Sequence, residues 1–289
     1  MKPLAWKHVL TFGKFSISIP IGLTAFTGFI LFDEQLSFQG LLVAVGVFFL
    51  AAGASALNQV QENKWDLLMP RTSERPLPVK AFSGIMAFSI IFILLLMGSL
   101  CLMAFGGWTL FWGWMGLLWY NGIYTPLKRW SAFSIFPGAI VGAIPPVAGW
   151  VAAGGSILDV RLHFLALFFF LGQMPHFWLL VLKYDDQYKA AGFPTITQFM
   201  SKHRINQINM VWFLATFLSV LFLPVFDLIR DQSLSWIVIF SSLFMMGWSV
   251  YMTYQLLNDY RSRIVRKLFI HFNTFYLWVM VLIFLDQVI

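Results

Sequence analysis

Long apolar runs and short polar segments alternate along the whole chain. A helix needs about 20 mostly apolar residues to cross a bilayer, and nine runs approach or exceed that length: 15–32, 37–57, 81–105, 108–123, 133–153, 162–182, 208–226, 236–257 and 268–285. The fourth run is short, rich in Trp, and ends near Asn121. The pattern predicts an all-α polytopic membrane protein with nine transmembrane helices. Because no long polar segment is left over, we expect residues 1–289 to form a single integral-membrane domain.

Lysine and arginine fall on alternate loops between these runs. Of the 19 bases, 17 lie in the N-terminal tail or in the loops 58–80, 124–132, 183–207 and 258–267, while Arg161 and Arg230 lie on the other side. Bases in short loops favour the cytoplasmic face of a membrane, so we expect the N-terminus inside and the C-terminus outside. The bases of the last loop have no acid at useful spacing except Asp259 and are interpreted as topology residues only: Arg261, Arg263, Arg266 and Lys267.

Composition narrows the possible function classes. The chain is 60% hydrophobic and 11% charged, against roughly 25% charged residues in a soluble domain. Its net charge of +7 fits the basic loops and attraction to anionic lipid, and it does not indicate nucleic-acid binding. The single cysteine, Cys101, lies inside an apolar run and allows neither a disulfide framework nor a cysteine-based metal site. The first run has no signal-cleavage motif and no Arg-rich presequence, so we expect it to remain as a helix, in a bacterial plasma membrane.

The first polar cluster follows the second apolar run. Asn58, Glu62 and Asp66 stand four residues apart, so on a helix their side chains share one face. Mg²⁺ takes oxygen ligands and commonly binds through one or two carboxylates together with substrate phosphates. The spacing therefore predicts a magnesium site at the end of the second transmembrane helix.

Two arginines follow this face at once. A helix tends to end before a proline, and Arg71 and Arg75 come directly after the Met69–Pro70 pair. Guanidinium groups bind phosphate oxygens in bidentate fashion. Carboxylates for a metal followed by arginines for phosphate predict a diphosphate site. The alternative is a solvated loop whose arginines only obey the charge rule.

The second cluster lies in the loop after the fourth run and reads YNGIYTPLKRW. Tyr124 and Lys128 are four residues apart, and Arg129 follows. These two bases are either a topology signal or a second pair of phosphate ligands. The next helix contains GAIVGAIPPVAGW, residues 138–150. Its two prolines must interrupt the backbone hydrogen bonds, which a membrane tolerates beside a polar cavity or inside a packed kink, and the sequence leaves both open.

The third cluster reads PHFWLLVLKYDDQYKAAGFP, residues 175–194. If the sixth helix continues past its apolar part, His176, Lys183 and Asp186 form a polar stripe on one face. A histidine within an apolar segment is a functional-site hypothesis, although a histidine satisfied by a neighbouring carbonyl is equally compatible. Asp185 and Asp186 predict a second carboxylate group that faces the first across the bundle.

Together these segments resemble the UbiA superfamily of intramembrane prenyltransferases. The resemblance rests on N-x-x-x-[DE]-x-x-x-D followed by M-x-R-T-x-x-R-P at 58–76, and on G-A-x-P-P-x-x-G-W and P-H-F-W further on. These last features resemble the heme-farnesylating branch of the superfamily. The motifs cover about a quarter of the chain. They imply a nine-helix prenyltransferase bundle that uses farnesyl diphosphate and heme B, needs Mg²⁺, and supplies heme O, with a heme A-forming enzyme as a further partner.

The chain departs from the branch pattern at four positions. Glu62 stands where Asp is commoner, Gln187 where the second Asp of D-D-Y is usual, Ser134 where Asn is usual, and Thr195 begins Thr-Ile-Thr where Met-Leu-Pro is usual. The departures bear on the second metal position and on the acceptor substrate.

The resemblance also implies roles for the polar residues. Magnesium would be held by Asn58, Glu62, Asp66 and Asp186, with Asp185 as a substitute ligand, and diphosphate by Arg71, Arg75, Lys128, Arg129 and Lys183. Tyr124 would stabilise an allylic cation by its ring face, and His176 would contact heme, as an axial ligand. Two alternatives remain: a prenyltransferase for an aromatic acid that is a quinone precursor, and a transporter, whose site would lie nearer the membrane midplane.

Overall fold

The computed structural model describes residues 6–258 and 260–289, and within these ranges its regular elements are all helices, with no β-strand. The helices are α1 Trp6–Phe12, α2 Phe15–Asp33, α3 Phe38–Asp66, α4 Gly84–Met103, α5 Gly107–Leu118, α6 Thr125–Leu127, α7 Ile135–Ala152, α8 Val160–Ala190, α9 Lys202–Val220, α10 Gln232–Asn258 and α11 Ser262–Asp286. A π-helical segment, Trp119–Tyr124, joins α5 to α6, and short 3-10 turns occupy Ala132–Ser134 and Ile196–Gln198.

Each of the nine predicted apolar runs lies on one of these helices. Among the described residues, seven helices are long and apolar enough to cross a membrane: α2, α3, α4, α7 with its preceding 3-10 turn, α8, α10 and α11. The other two runs lie on α5, which continues through the π-helical segment, and on α9. The run 208–226 was predicted too long, because α9 ends at Val220 and the next six residues form turns. Pro224 disfavours the helical conformation just before it and ends the helix early.

Small residues bring α2 and α7 into backbone contact. A Cβ atom on Gly28 would lie 2.0 Å from the Pro146 carbonyl oxygen, and one on Gly149 would lie 1.8 Å from the Ala25 carbonyl oxygen. Close packing of this kind depends on small residues. Pro145 and Pro146 are both buried within α7, so of the two possibilities left open for this segment the packed helix is the one observed.

The helices place their polar ends at one end of the bundle. α3 and α8 run past their apolar parts to Asp66 and Ala190, and the α5–α6 connection ends beside them. A large apolar core joins α8, α9, α10 and α11, with Phe168, Phe213, Phe217, Phe272 and Phe275 at its centre. The clusters predicted from three separate loops therefore lie together at one end of the helix bundle.

Candidate active site

The oxygen-bearing face at the end of α3 forms as its spacing predicts. Asn58, Glu62 and Asp66 are only 1%, 7% and 0% exposed, so all three point into the bundle. The Thr72 hydroxyl donates to the Asp66 carbonyl oxygen at 2.9 Å and thereby satisfies one of the free carbonyls at the helix end. The chain then turns back, which carries the arginines of the following loop towards the same face.

Each carboxylate on this face is paired with a base. Glu62 lies 2.5 Å from the Lys128 ammonium nitrogen. One guanidinium nitrogen of Arg75 donates to both oxygens of Asp66, at 2.8 and 2.7 Å. A buried charge requires such a partner, and both bases were predicted from sequence as phosphate ligands.

A third base, Lys14, completes the cluster and was missed as a site residue. It lies between α1 and α2 with φ 46° and ψ 49°, and its ammonium group donates to the Asn58 amide oxygen at 3.5 Å. Burial, together with the nearby positive charges of Arg75 and Lys128, lowers the pKa of Lys14 from 10.5 to about 7. In the sequence it is one of three bases in the N-terminal tail, and nothing local distinguishes it from the others.

The π-helical segment turns polar side chains towards α3. The Asn58 amide donates to the Thr125 hydroxyl at 3.1 Å, and the Asn121 amide donates to the Ala54 carbonyl and the Gln61 side chain, both at 3.0 Å. Tyr124 is buried, with its ring centroid 5.0 Å from the Lys128 ammonium. Segments of π-helix are frequent at functional sites, and this one gives Tyr124 a position beside the Glu62–Lys128 pair.

Arg129, predicted as a phosphate ligand on this loop, instead makes structural contacts with α3. Its guanidinium donates to the Gln61 carbonyl at 2.7 Å and stacks on the Trp65 ring at 4.0 Å. These contacts fix the loop to α3. In this arrangement Arg129 orients α3.

Arg71 connects the first cluster to α8. Its guanidinium donates to the Tyr188 hydroxyl at 3.2 Å and lies 4.5 Å from the Tyr184 ring centroid. Its backbone N–H donates to the Gln187 side-chain oxygen at 3.4 Å. The amide at position 187, where the family pattern has a carboxylate, therefore serves as an uncharged acceptor that fastens the 67–80 loop to α8.

The two aspartates of α8 have different surroundings. Asp185 is buried, accepts a 2.5 Å hydrogen bond from the Thr197 hydroxyl, and lies 2.8 Å from the Lys189 ammonium. Its oxygens hold the Thr195–Thr197 turn, which replaces the usual Met-Leu-Pro. Asp186 and Lys183 are exposed. The stripe predicted on α8 is helical throughout, and Asp186 is its free carboxylate.

His176 lies deeper on α8 and contacts α11. Its ring centroid is 4.6 Å from that of Phe269, and Asn273 hydrogen-bonds to it. The next residue, Phe177, packs against Tyr124 with centroids 5.6 Å apart. His176 is thus separated from the charged cluster by one aromatic layer.

Comparisons with known proteins identify the family. A sequence profile of the UbiA prenyltransferase family matches residues 21–279. The chain belongs to the UbiA prenyltransferase family. Protoheme IX farnesyltransferase of Geobacter sulfurreducens is 40% identical to this prenyltransferase over 216 residues, 75% of this chain and 80% of that protein. The protein of the same name from Oleidesulfovibrio alaskensis is 34% identical over 76% of this chain and 78% of its own length.

Solved structures confirm the fold. The apo structure of a UbiA homologue from Aeropyrum pernix K1 superposes with a TM-score of 0.75 at 16% identity, covering 94% of this chain and 98% of that one. A UbiA homologue from Archaeoglobus fulgidus bound to GPP and Mg²⁺ gives a TM-score of 0.66 at 14% identity, covering 96% and 99%. The all-α bundle predicted from the sequence is that of the family.

The donor set of the prenyltransferase fits a hard cation. In the ranges that the structure describes, no group of three or more His, Cys, Asp and Glu side chains comes together as a metal site. A metal at the end of α3 would therefore use Glu62 and Asp66 with the Asn58 amide oxygen, and phosphate oxygens of a substrate would complete its shell. This mixture is typical of Mg²⁺, which seldom relies on protein ligands alone.

Proposed function

We propose that this prenyltransferase transfers the farnesyl group of farnesyl diphosphate to a vinyl group of heme B, with addition of water, giving heme O and diphosphate. The name of its relatives supplies the two substrates. The observation that carries the proposal is the array of two buried carboxylates and three partly buried bases at the end of α3. An apolar bundle has little use for such an array unless a charged substrate completes it.

Diphosphate binding would replace the present ion pairs with contacts between the same bases and phosphate oxygens. Lys14, Arg75 and Lys128 now neutralise the carboxylate and amide oxygens around them. Phosphate oxygens offer the same bases stronger, charge-assisted hydrogen bonds. Arg71, at the α8 side of the loop, is placed to close over the outer phosphate group. Released from their bases, Glu62 and Asp66 would hold Mg²⁺ together with the Asn58 amide oxygen and phosphate oxygens of the substrate. Asp186, exposed on α8, lies outside this group of ligands.

When bound, Mg²⁺ supplies positive charge to the leaving diphosphate. The side chains do the remaining work. Lys128 and Arg75 bind the charge that develops as the C1–O bond of farnesyl diphosphate breaks. The Tyr124 ring faces the resulting allylic cation, a contact that contributes about 2 kcal/mol when desolvated. Burial of the site keeps bulk water from capturing the cation first.

Bond formation at the acceptor then balances the reaction. The terminal vinyl carbon of heme B attacks C1, and the positive charge moves to the vinyl carbon next to the porphyrin. A water oxygen bonds to that carbon and releases one proton. His176 is our candidate for heme contact, because it is one residue from Phe177, which packs on Tyr124. The site end of the bundle would face the cytoplasm of a bacterial plasma membrane, since most of the bases lie at that end.

The experiment uses purified protein in lipid nanodiscs with heme B, farnesyl diphosphate and Mg²⁺, followed by mass spectrometry of extracted hemes. We expect a hydroxyethylfarnesyl heme whose formation stops on chelation of Mg²⁺. Asp66→Asn should abolish product, and Lys80→Gln, which removes a base from the same loop outside the site, should not. Diphosphate release with an aromatic acid but no heme product would overturn the heme assignment, and product from Asp66→Asn would overturn the assignment of the α3 face.

A further inference from the structure

Two polar pairs meet where α8 contacts α11. His176 and Lys183 stand seven residues apart on α8, and Asn273 and Arg266 stand seven residues apart on α11. Seven residues are about two helical turns, roughly 10.5 Å, and residues at this spacing share a face. Each pair therefore has a base two turns away from a polar partner on the same face of its helix: Lys183 from His176, and Arg266 from Asn273.

The two helices run in opposite directions, so both bases lie at the same end. The Tyr260 hydroxyl donates to the Leu182 carbonyl at 2.7 Å, and further into the bundle the Tyr276 hydroxyl donates to the Phe168 carbonyl at 3.1 Å. Between these two contacts His176 packs on Phe269. This register places Lys183 and Arg266 above the imidazole, at the site end of the bundle, and both side chains are exposed.

The imidazole is oriented as a ligand would be. The Asn273 side-chain amide donates to the Phe269 carbonyl at 2.6 Å, which leaves the amide oxygen to accept the His176 ring N–H. Histidines that bind metal usually donate their second ring nitrogen to such a partner, and this fixes the tautomer and the ring orientation. The other ring nitrogen then keeps its lone pair for an iron atom.

We propose that the α8–α11 face is the heme site, with His176 beneath the iron and with Lys183 and Arg266 as the partners of the two heme propionates. The proposal rests on the proposed function and extends it. Heme B carries two carboxylates on one edge and vinyl groups on other edges, so the two exposed bases and the half-buried imidazole match its chemistry. This assignment takes Lys183 away from the diphosphate and gives Arg266 a role that the charge rule did not predict.

The orientation also serves the reaction. With the propionates at the cytoplasmic surface, the opposite edge of the porphyrin points into the apolar interior. Phe177, next to His176, contacts Tyr124, which lies beside Lys128. The vinyl edge would thus approach the allylic carbon at the layer that Phe177 and Tyr124 form, where water is excluded.

Titration of purified protein in nanodiscs with ferric heme B, followed by the Soret band, tests the proposal without catalysis. The control ligand is ferric heme B dimethyl ester, which keeps the iron and lacks both propionate charges. We expect the ester to bind wild-type protein at least tenfold more weakly than the acid. Lys183→Gln and Arg266→Gln should each weaken binding of the acid about tenfold, and the double variant should bind acid and ester alike. Arg266→Lys should restore much of the binding.

His176→Ala should change the Soret position at saturating heme, and Lys80→Gln is the control for general loss of surface charge. Equal discrimination between acid and ester in wild type and in the double variant would mean that the bases are surface charges only, and it would overturn the proposal. If heme binding and heme O formation persist in that case, the proposed function survives. If wild-type protein neither binds heme nor makes heme O, both fall.

Discussion

The pairing of Glu62 with Lys128 provides a quantitative test of the charge arrangement. The site holds three partly buried bases, Lys14, Arg75 and Lys128, and two buried carboxylates, Glu62 and Asp66. It therefore carries one excess positive charge when all are ionised. Glu62→Gln raises that excess to two positive charges, because three bases then face one carboxylate. Lys128→Met brings it to two against two. The double variant returns to an excess of one.

These counts predict unequal destabilisation. Removing one partner of a buried pair costs about 3–5 kcal/mol, because the other charge is left uncompensated, and Glu62→Gln should fall in this range. Lys128→Met should cost only about 1–2 kcal/mol, because Asn58 hydrogen-bonds to Glu62 and Lys14 attracts it. The double variant should lie within about 1 kcal/mol of wild type. The coupling free energy, which is the cost of the double variant minus the summed costs of the single variants, then has a magnitude of about 3–7 kcal/mol.

The assay is equilibrium unfolding of the four proteins in detergent micelles, with prenyl transfer measured in parallel. Activity should be lost in all three variants, including the stable double variant, because the same two groups are needed for the metal and the diphosphate. Glu62→Gln as stable as Lys128→Met would refute the reasoning from charge count. An active double variant would show that the pair serves stability alone.

Three further predictions concern single positions. Because burial lowers the pKa of Lys14 to about 7, the unfolded chain binds a proton that the folded protein lacks between pH 7 and 10.5. The free energy of unfolding should therefore rise with pH across this window, and Lys14→Met should flatten the rise. Gly149→Ala forces a Cβ to 1.8 Å from the Ala25 carbonyl and should lower the unfolding free energy by about 3 kcal/mol, whereas Gly247→Ala, with nothing within 4 Å, should raise it by about 1 kcal/mol; thermal unfolding compares the two. Arg129→Ala should cost about 2 kcal/mol of stability, and it should raise KM for the prenyl donor more than it lowers kcat, which steady-state kinetics would show.

Helix geometry explains which parts of the site could be predicted. The face formed by Asn58, Glu62 and Asp66 needs only a spacing of four and a helix that continues to Asp66, and both are local properties. The positive charge of their partners was also predictable, since acids buried in a membrane need bases. Lys14 could not be predicted, because its contact with Asn58 spans 44 residues and depends on how α2 packs against α3.

In the α8 segment, too, the sequence does not show which residues gain a partner from a distant part of the chain. Sequence alone gives Asp185 and Asp186 equal standing as metal ligands, since both are carboxylates on one polar stretch. In the fold they point about 100° apart, so one meets the Thr197 hydroxyl and the Lys189 ammonium while the other remains exposed. Which neighbour gains the partners depends on the turn at residues 195–198, and no local pattern encodes that turn's position.

The net charge of the site explains how the same five side chains can pair with one another in the absence of ligand and bind diphosphate and Mg²⁺ in its presence. The excess of one positive charge is small enough for a buried site because Lys14 can lose its proton near neutral pH. A diphosphate monoester of charge about −3 with one Mg²⁺ adds about one negative charge in total. That addition cancels the excess of Lys14, Arg75 and Lys128 over Glu62 and Asp66 when Lys14 is protonated. Neither diphosphate nor Mg²⁺ alone does so, because the first leaves about two uncompensated negative charges and the second adds two positive ones, so the two should bind cooperatively.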